Sequence, residues 1–571
     1  MKKTLGIVVM AFSLGAMAQG QPEKNVGSVE IDVVDQYKAS IKKATKISNQ
    51  PDFVDTTTKK LPIQYRIFPE LLQFTYKPEP ITPIRVQGVR LGKLPHNTIK
   101  LGAGMYGSSL AEILLSSSRA EAFNWEVGLN HEGSIKGVKN IVYDRSPYME
   151  NTLFLGGRWL LKDYRLKAKA GVDWNRYHYY GVPDSPESDS LQVPELETND
   201  YQRYFGSVTF DRVYRQRNTP FQSAGISYHY FNNNWLTKEQ KVKATTAWQL
   251  PKEIENHLLG AQLNLDWQKT IFGVTNTTIN QLNVQFFPKA KGKYGWFGYT
   301  LGLNFNFYNI KTSIGATTTN SFLTYFYPEV AVEAELVRDV LAFFAGWTGD
   351  VTMNGQYNLT MQNPYLVPGA FLSPTGSQKI FGGLEGAVAR NISYKAEANL
   401  RYVTSMPLFY RSGDSLTIPY YGKNLPAFDV IYVRGSIFQV RGELSYHAKN
   451  TQVAAYGEFF SYQLKDDDTK VRYHLPKLRV GFDVLQIIRE KFEVKAGLAF
   501  IGGREALNTD GTIYKAKMKD IWDLHLSVGY NINNNLSAGL EFSNLASQNY
   551  QIWLGYPVQR FRALLFLRYS F

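Results

Sequence analysis

The last eleven residues of the chain place the strongest constraint on its fold. Read back by twos from Phe571, one set is Phe, Tyr, Leu, Leu, Ala and Phe, whereas the interleaved set contains Arg562 and Arg568. Successive side chains of a strand point to opposite faces, so this segment predicts a strand with one face apolar throughout and charges only on the other. Such a strand suits a position between lipid and the polar interior of a transmembrane barrel.

The same alternation recurs along the chain. Segments that begin at Tyr164, Tyr394 and Phe492 alternate apolar with charged or small residues over the length of a strand. Past the N-terminus there is no apolar run of about 18 residues, which argues against transmembrane helices. Hydrophobic residues make up 44% of the chain and aromatic residues 14%. A membrane barrel fits this composition because only every second strand residue must be apolar, although a large soluble all-β protein would fit it equally well.

Loop lengths separate a membrane barrel from a soluble sandwich. Short turns are predicted at 162–163, 337–339, 389–391, 448–450, 489–491 and 533–535. Longer connections are predicted between them, at 134–147, 182–200, 312–321, 354–378, 408–426, 466–473, 505–520 and 545–557. Barrels of the outer membrane have short periplasmic turns and longer extracellular loops. We therefore predict an all-β fold, a transmembrane antiparallel β-barrel of about 22 strands (range about 16–22) over residues 97–571.

The N-terminal region predicts export. Residues 1–18 have the form of a signal peptide, with Lys2 and Lys3, an apolar core, and the cleavage site Ala16-Met17-Ala18. Its removal takes away two lysines and no acids, so the net charge falls from +14 to +12. Residues 19–96 are rich in proline and predict an irregular periplasmic or lumen-entering segment. Export and a barrel together predict the outer membrane of a Gram-negative cell.

Both ends of the chain resemble a known family. The final hairpin 551–561 and the terminal Tyr569-Ser570-Phe571 resemble the end of TonB-dependent receptor barrels. The stretch 29–37 and the barrel start 97–102 resemble a Bacteroidota-type group of TonB-receptor-like barrels. The resemblance implies a transport role, with Phe571 and Tyr569 as the insertion signal read by the barrel assembly machinery. Residues 19–96 are too few for the family's globular plug, so we predict that a full plug domain is lacking.

One short N-terminal segment bears on energy coupling. Glu30, Ile31, Asp32, Val33 and Val34 are similar to a TonB box, the strand that pairs with TonB by β-addition. An ordinary extended segment is the alternative interpretation, and the sequence favours it.

Basic residues dominate the predicted inner face of the barrel. They are Arg165, Lys167, Lys169, Lys395, Arg401, Lys477, Arg479, Lys495, Arg562 and Arg568. A cationic wall would concentrate anionic solutes. Acidic residues share this face, however, so a salt-bridged wall is the alternative.

The sequence predicts neither a catalytic site nor a metal or other cofactor. Cysteine is absent, which removes disulfides and thiolate metal sites. The eight histidines are scattered without i,i+4 metal spacing. The nucleophile motif GxSxG is also absent, so we expect that the protein is not an enzyme.

Two functions remain open at this point. The first is a transport channel or degenerate receptor for small solutes. The second is a non-transporting accessory or structural barrel subunit of an outer-membrane assembly or secretion complex. The expected partners are outer-membrane lipid and lipopolysaccharide, the barrel assembly machinery, and a periplasmic or outer-membrane protein. Nucleic acid is not expected, because the chain is exported and has no concentrated basic run.

Overall fold

A computed structural model describes residues 97–571, with gaps at 118–121, 183–194, 214–218, 252–256, 339, 412–417, 421–422, 466–471 and 510–512. The predicted signal peptide, the segment 19–96 and the TonB-box-like residues 30–34 lie outside the described residues. In the part of the chain that is described, no helix is long and apolar enough to cross a membrane.

The described residues form one closed sheet of 22 antiparallel strands, as predicted. The barrel strands are β1 (Thr98–Gly104), β2 (Ser108–Ser116), β3 (Phe123–Ser134), β4 (Tyr148–Leu161), β5 (Tyr164–His178), β6 (Thr198–Arg212), β7 (Phe221–Asn233), β8 (Thr237–Gln249), β9 (His257–Phe272), β10 (Thr277–Tyr294), β11 (Phe297–Ile314), β12 (Thr317–Val337), β13 (Leu341–Thr352), β14 (Thr375–Ala389), β15 (Ile392–Tyr410), β18 (Asp429–His447), β19 (Thr451–Lys465), β20 (Leu478–Ile488), β21 (Phe492–Gly502), β24 (Ile521–Asn531), β25 (Leu536–Ser543) and β28 (Arg562–Ser570).

The connections between barrel strands contain smaller elements. A 3₁₀ turn, Met105–Gly107, joins β1 to β2, and a short helix α1 (Gln356–Gln362) lies between β13 and β14. Three small hairpins lie in other connections: β16 (Ile418–Tyr420) with β17 (Lys423–Leu425), β22 (Glu505–Thr509) with β23 (Ile513–Lys517), and β26 (Gln551–Trp553) with β27 (Tyr556–Pro557).

The first and last strands close the barrel. Thr98 pairs with Ser570 at one end of this seam, and Gly104 pairs with Leu564 at the other. A lipid environment offers no water to unpaired backbone groups, so a spanning sheet must have no open edge. The pairing of β1 with β28 leaves the sheet without an open edge.

The two faces of β28 differ as the alternation predicts. Leu565 and Leu567 are 57% and 54% exposed, whereas Leu564 and Phe566 are 4% and 5% exposed. The exposed set faces outward, where lipid would cover it, and the buried set faces the interior. The outward face of β28 is therefore apolar, as contact with lipid requires.

The barrel has two unlike ends. The terminal end carries Asn97, Phe571 and turns such as 162–163 and 295–296. The loop end carries the connections 135–147, 179–197, 353–374, 411–428, 503–520 and 544–561. Long connections are extracellular in such barrels, which makes the loop end the outer one.

One predicted loop is wrong. Residues 312–321 lie in a tight hairpin, because β11 continues to Ile314 and β12 begins at Thr317. Over 317–329 strand β12 pairs with β11 alone, since its pairing with β13 begins at Val330. This polar Thr- and Asn-containing stretch lacks apolar alternation, but threonine and the aromatic residues that follow favour strand, and pairing with β11 sustains it.

Candidate functional site

Amide side chains line the inner wall of β9, β10 and β11. They alternate with outward-facing leucines such as Leu263, Leu265 and Leu303. The buried amides are Asn264, Gln268, Gln281, Asn283, Asn304 and Asn306. An amide both donates and accepts hydrogen bonds, so this wall can hold backbone groups without carrying charge.

Residues 353–374, here called the inserted loop, pack against this amide wall. The side-chain nitrogens of Gln268 and Gln281 donate to the carbonyl oxygen of Asn354 at 3.3 and 3.1 Å. The Asn354 side chain donates in turn to the carbonyl oxygen of Ser373 at 2.7 Å. One residue therefore joins both ends of the inserted loop to the barrel wall.

A buried carboxylate on β8 holds the start of α1. Glu239 is 1% exposed, and its Oε2 accepts from the backbone nitrogen of Gln356 at 2.7 Å and from Thr270 Oγ1 at 3.0 Å. A Cβ atom on Gly355 would lie 2.5 Å from Gln268 Nε2 and 2.6 Å from Glu239 Oε1. A side chain at this position would have to displace the ends of the Gln268 and Glu239 side chains that hold the inserted loop.

The aromatic face of α1 packs against charged and aromatic groups of the wall. The Tyr357 ring lies 5.6 Å from Phe231 and 5.4 Å from His229. The Arg203 guanidinium stands 4.6 Å from the same ring and pairs with Asp173 at 2.6 Å. Burial raises the pKa of Tyr357, so its hydroxyl stays neutral.

Loops from several sides of the barrel meet in one hydrophobic cluster, here called the loop core. The rings of Tyr365 and Tyr556 stack at 3.7 Å, and the Tyr180 ring lies 5.0 Å from Tyr556. The buried members are Phe272, Ile279, Leu359, Leu366, Ala370, Leu372, Phe409, Phe428, Val430, Trp553 and Tyr556. They come from β9, β10, β15 and β18 and from three loops, so the loop core reaches across the lumen at the loop end.

Buried polar groups fix the 551–557 hairpin within the loop core. Arg504 donates to the carbonyl oxygens of Ile552 at 3.1 Å and Lys519 at 2.9 Å. His474 Nε2 accepts from the backbone nitrogen of Leu554 at 3.1 Å. Burial lowers the pKa of Arg504 to about 10. Burial and the Arg504 charge lower the pKa of His474 to about 3, which keeps its imidazole neutral.

We expect acid to loosen the loop core through His474. Opening raises the pKa of this imidazole from about 3 towards 6.5. Below pH 6.5 the open state therefore binds a proton that the closed state excludes. Closure weakens by about 1.4 kcal/mol for each pH unit down to pH 3. The hydrogen-exchange protection factors of residues 544–561, which compare each observed rate with the intrinsic rate at the same pH, should fall between pH 6.5 and 4 in the wild type and fall less in His474→Gln. An equal fall in both would contradict this role.

Most of the predicted basic residues form ion pairs. Arg165 and Lys167 both lie 3.4 Å from Asp211. Five more pair with nearby carboxylates: Lys395 with Glu385, Arg479 with Glu458, Lys495 with Glu493, Arg562 with Glu132, and Arg568 with Glu493. These pairs offset much of the positive charge on the inner wall.

The other three predicted basic residues have different surroundings. Lys169 stands 3.9 Å from the centre of the Phe154 ring. Arg401 is half-buried on β15 and interacts electrostatically with Glu397 of the same strand. Lys477 is exposed just before β20. The structure thus distributes the ten residues around the barrel and does not gather them at one point.

An acidic cavity near the terminal end was missed by sequence reasoning. It has a volume of about 550 Å³, and its charged lining residues are Lys293, Glu333, Glu335, Glu385, Lys395 and Glu443. Two acidic residues on successive inward positions of β12, Glu333 and Glu335, were the sequence signal that could have indicated this cavity. Together with the basic pairs elsewhere, this cavity gives the lumen wall both signs of charge.

The predicted insertion signal lies on the outward face of the barrel, at its terminal end. Tyr569 and Phe571 are each 47% exposed, and their rings stack at 5.2 Å. Backbone hydrogen bonds join Phe571 to Asn97 at 3.1 and 3.0 Å.

Within the described residues, no group of three or more acidic or histidine side chains could hold a metal ion.

Comparison with known proteins gives structural neighbours only. No protein-family model matches the chain, and no curated protein matches it in sequence. The FrpB iron transporter from Neisseria meningitidis is similar in structure, with a TM-score of 0.63 and 10% identity over 84% of this chain and 82% of that one.

Two further neighbours have the same fold. The closed form of the ferric-catecholate import receptor Fiu from E. coli K12 has a TM-score of 0.61 and 10% identity over 84% of this chain and 82% of that one. The copper transporter OprC has a TM-score of 0.60 and 13% identity over 84% and 81%. The fold is that of outer-membrane transport receptors. The expected fold and outer-membrane location are therefore confirmed, and the lack of a full plug stays a prediction.

Proposed function

We propose that the chain is a transport barrel of the outer membrane, a TonB-dependent receptor-like channel or degenerate receptor for small solutes. The observation that carries the proposal is the closed 22-stranded barrel, which aligns over 84% of the chain with an iron transporter and a copper transporter. The amide wall and the paired charges favour polar solutes of low net charge over strongly anionic ones. No enzymatic step is needed for this role.

In this proposal the loop core closes the outer end between transport events. The inserted loop is held by side-chain hydrogen bonds, each worth about 0.5–1.5 kcal/mol, and by the burial of Leu359, Leu366 and Leu372 in the loop core, so opening must break both sets of contacts while the barrel stays folded. Entry of residues 19–96 into the lumen remains a prediction. Coupling to TonB through residues 30–34 remains a prediction.

Planar-bilayer conductance tests this proposal. The chain without its signal peptide should conduct rarely, and removal of residues 20–94 should increase the frequency of open channels. The same barrel preparation should show the heat-modifiable migration of a folded barrel, which controls for misfolding. Absence of conductance from both forms at neutral and acidic pH would contradict a transport role.

One observation favours the second candidate, a non-transporting accessory barrel. The loop core buries large side chains, among them Trp553 and Tyr556 at 2% and 1% exposure, as a permanent seal would. A sealed barrel would serve as a membrane platform for a larger assembly. Recovery of a stoichiometric partner in mild detergent, together with a silent bilayer, would support this candidate over transport.

A further inference from the structure

Three polar side chains stand next to one another on the outer surface of the barrel. Ser109 lies on β2, His131 on β3 and Asn151 on β4. The strand register places Ser109 opposite Gly133, two residues beyond His131, and places His131 directly opposite Asn151. Three neighbouring strands thus contribute one residue each to a single cluster.

The cluster lies on the lipid-facing side near the loop end. His131 is separated by even steps from Trp125, and Asn151 from Leu155, which are 42% and 61% exposed. Side chains two apart share a face of the sheet, so the cluster faces outward. Ser109 follows the turn at the loop end, which is the outer one, so the cluster lies on the outward face near the outer end of the barrel.

Two hydrogen bonds connect the cluster in a chain from Ser109 through His131 to Asn151. Ser109 Oγ lies 2.8 Å from His131 Nε2, and His131 Nδ1 lies 2.7 Å from Asn151 Oδ1. These distances are those of a nucleophile, a general base and a third group that orients the base.

The orientation of the Asn151 amide decides which histidine nitrogen carries the proton. Asn151 Nδ2 donates to the carbonyl oxygen of Trp174 at 2.8 Å, which turns Oδ1 towards His131. An amide oxygen only accepts, so His131 Nδ1 must carry hydrogen and donate to it. The lone pair of Nε2 is then directed at the Ser109 hydroxyl. This is the tautomer that a general base needs.

The surroundings suit an acyl chain and leave the hydroxyl accessible. A Cβ atom on Gly133 would lie 3.4 Å from Ser109 Oγ, so the glycine leaves open the space beside the hydroxyl. Exposed apolar side chains on the same outer surface include Met105, Ile135 and Leu153, at 41%, 54% and 40% exposure.

A polar groove adjoins the cluster on the same surface. It has a volume of about 260 Å³ and is lined by Met149, Trp174, Arg176, Gln202, Asn232 and Asn234, among others. Met149 lies two residues before Asn151 on β4, and Trp174 binds the Asn151 amide. An acyl chain beside the triad would place its polar head group within reach of this groove.

We propose that Ser109, His131 and Asn151 form a catalytic triad that hydrolyses carboxylic esters of acyl lipids in the outer leaflet. Ser109 Oγ bonds to the ester carbonyl carbon while its proton passes to His131 Nε2. The ester C–O bond breaks, and the departing alcohol takes that proton. Water then attacks the acyl-serine, His131 takes the proton of the water, and the fatty acid leaves as the proton returns to Ser109. Asn151 acts as the positioning residue.

The test uses the chain without its signal peptide, refolded in detergent micelles and checked by heat-modifiable migration. Two probes are applied: a fluorogenic diacyl phospholipid in mixed micelles, and a fluorophosphonate that labels activated serines. We expect hydrolysis and a single label on Ser109, found by peptide mass. Ser109→Ala should lose the label and at least about a hundredfold of the rate. Ser313→Ala, a serine on the outer face of β11, is the matched control and should change neither.

Variants at Asn151 separate positioning from a structural role. Asn151→Ala should lower kcat and leave KM nearly unchanged. Asn151→Asp should retain activity and shift the acidic limb of the pH–rate profile to higher pH, because a carboxylate stabilises the protonated imidazole. A folded wild-type barrel that neither hydrolyses the lipid nor takes the label would overturn the proposal. Channel conductance does not enter this test, so the transport role stands or falls separately.

Discussion

Replacing residues 356–370 with a short glycine–serine linker is expected to open the outer end of the barrel. In a chain that also lacks residues 20–94, single-channel conductance should rise on the order of tenfold or more, since 16–18-stranded porins already enclose an aqueous channel. The replaced segment contains α1 and Tyr365, so the stack on Tyr556 is lost. The measurement is planar-bilayer conductance of the chain without its signal peptide and of the chain that also lacks residues 20–94, each with and without the linker.

The barrel itself should survive this change. The anchors Asn354 and Gly355 remain, and β13 and β14 keep their register from Ala342–Glu385 to Thr352–Thr375. Replacement of the hairpin tip 315–316 is the matched control, because Gly315 has open space around it and takes no part in the loop core. A barrel that stays closed after loop replacement would show that the inserted loop is not the barrier.

The faces of the strands could be predicted from sequence because lipid imposes them. A residue of β28 is either covered by lipid or turned inward, and only apolar side chains tolerate the first position. The outward Leu565 and Leu567 and the inward Arg562 and Arg568 therefore followed from alternation alone. The 312–321 hairpin was not predicted, because its mostly polar residues do not alternate with apolar ones.

The inserted loop could not be predicted in the same way. Its anchors join residues far apart in sequence, as in the hydrogen bond from Gln356 to Glu239. Its sequence of mixed polar and aromatic residues is equally compatible with an exposed extracellular loop. Only the register of 22 strands decides which wall residues the loop meets.

The Ser109 cluster was hidden for a related reason. Its members are 22 and 20 residues apart, and no local motif connects them. They meet because β2, β3 and β4 have a particular register, and a shift of one residue would turn His131 inward. The sequence expectation of no enzyme rested on local motifs, which cannot detect a site built across strands.

The ion pairs of the inner wall predict a large effect at one position. Glu458 on β19 is 3% exposed and binds groups from both neighbouring strands. Its Oε1 lies 2.6 Å from Arg441 Nη1 and 3.1 Å from Gln439 Nε2, and its Oε2 lies 3.3 Å from Arg479 Nη1. Arg479 is itself only 6% exposed. Removing the carboxylate would leave a buried guanidinium without its counter-charge.

Glu458→Gln should therefore lower the free energy of unfolding by about 3–5 kcal/mol, the cost of leaving one partner of a buried ion pair alone. The substitution preserves side-chain volume, so cavity formation does not contribute. Glu385→Gln is the matched control, because its pair with Lys395 is 44% and 37% exposed and should be worth about 0–1 kcal/mol. Urea titration of both variants folded into lipid vesicles measures the difference. Equal losses in the two variants would mean that solvent reaches Glu458 and screens its charge, and that this part of the lumen is wet.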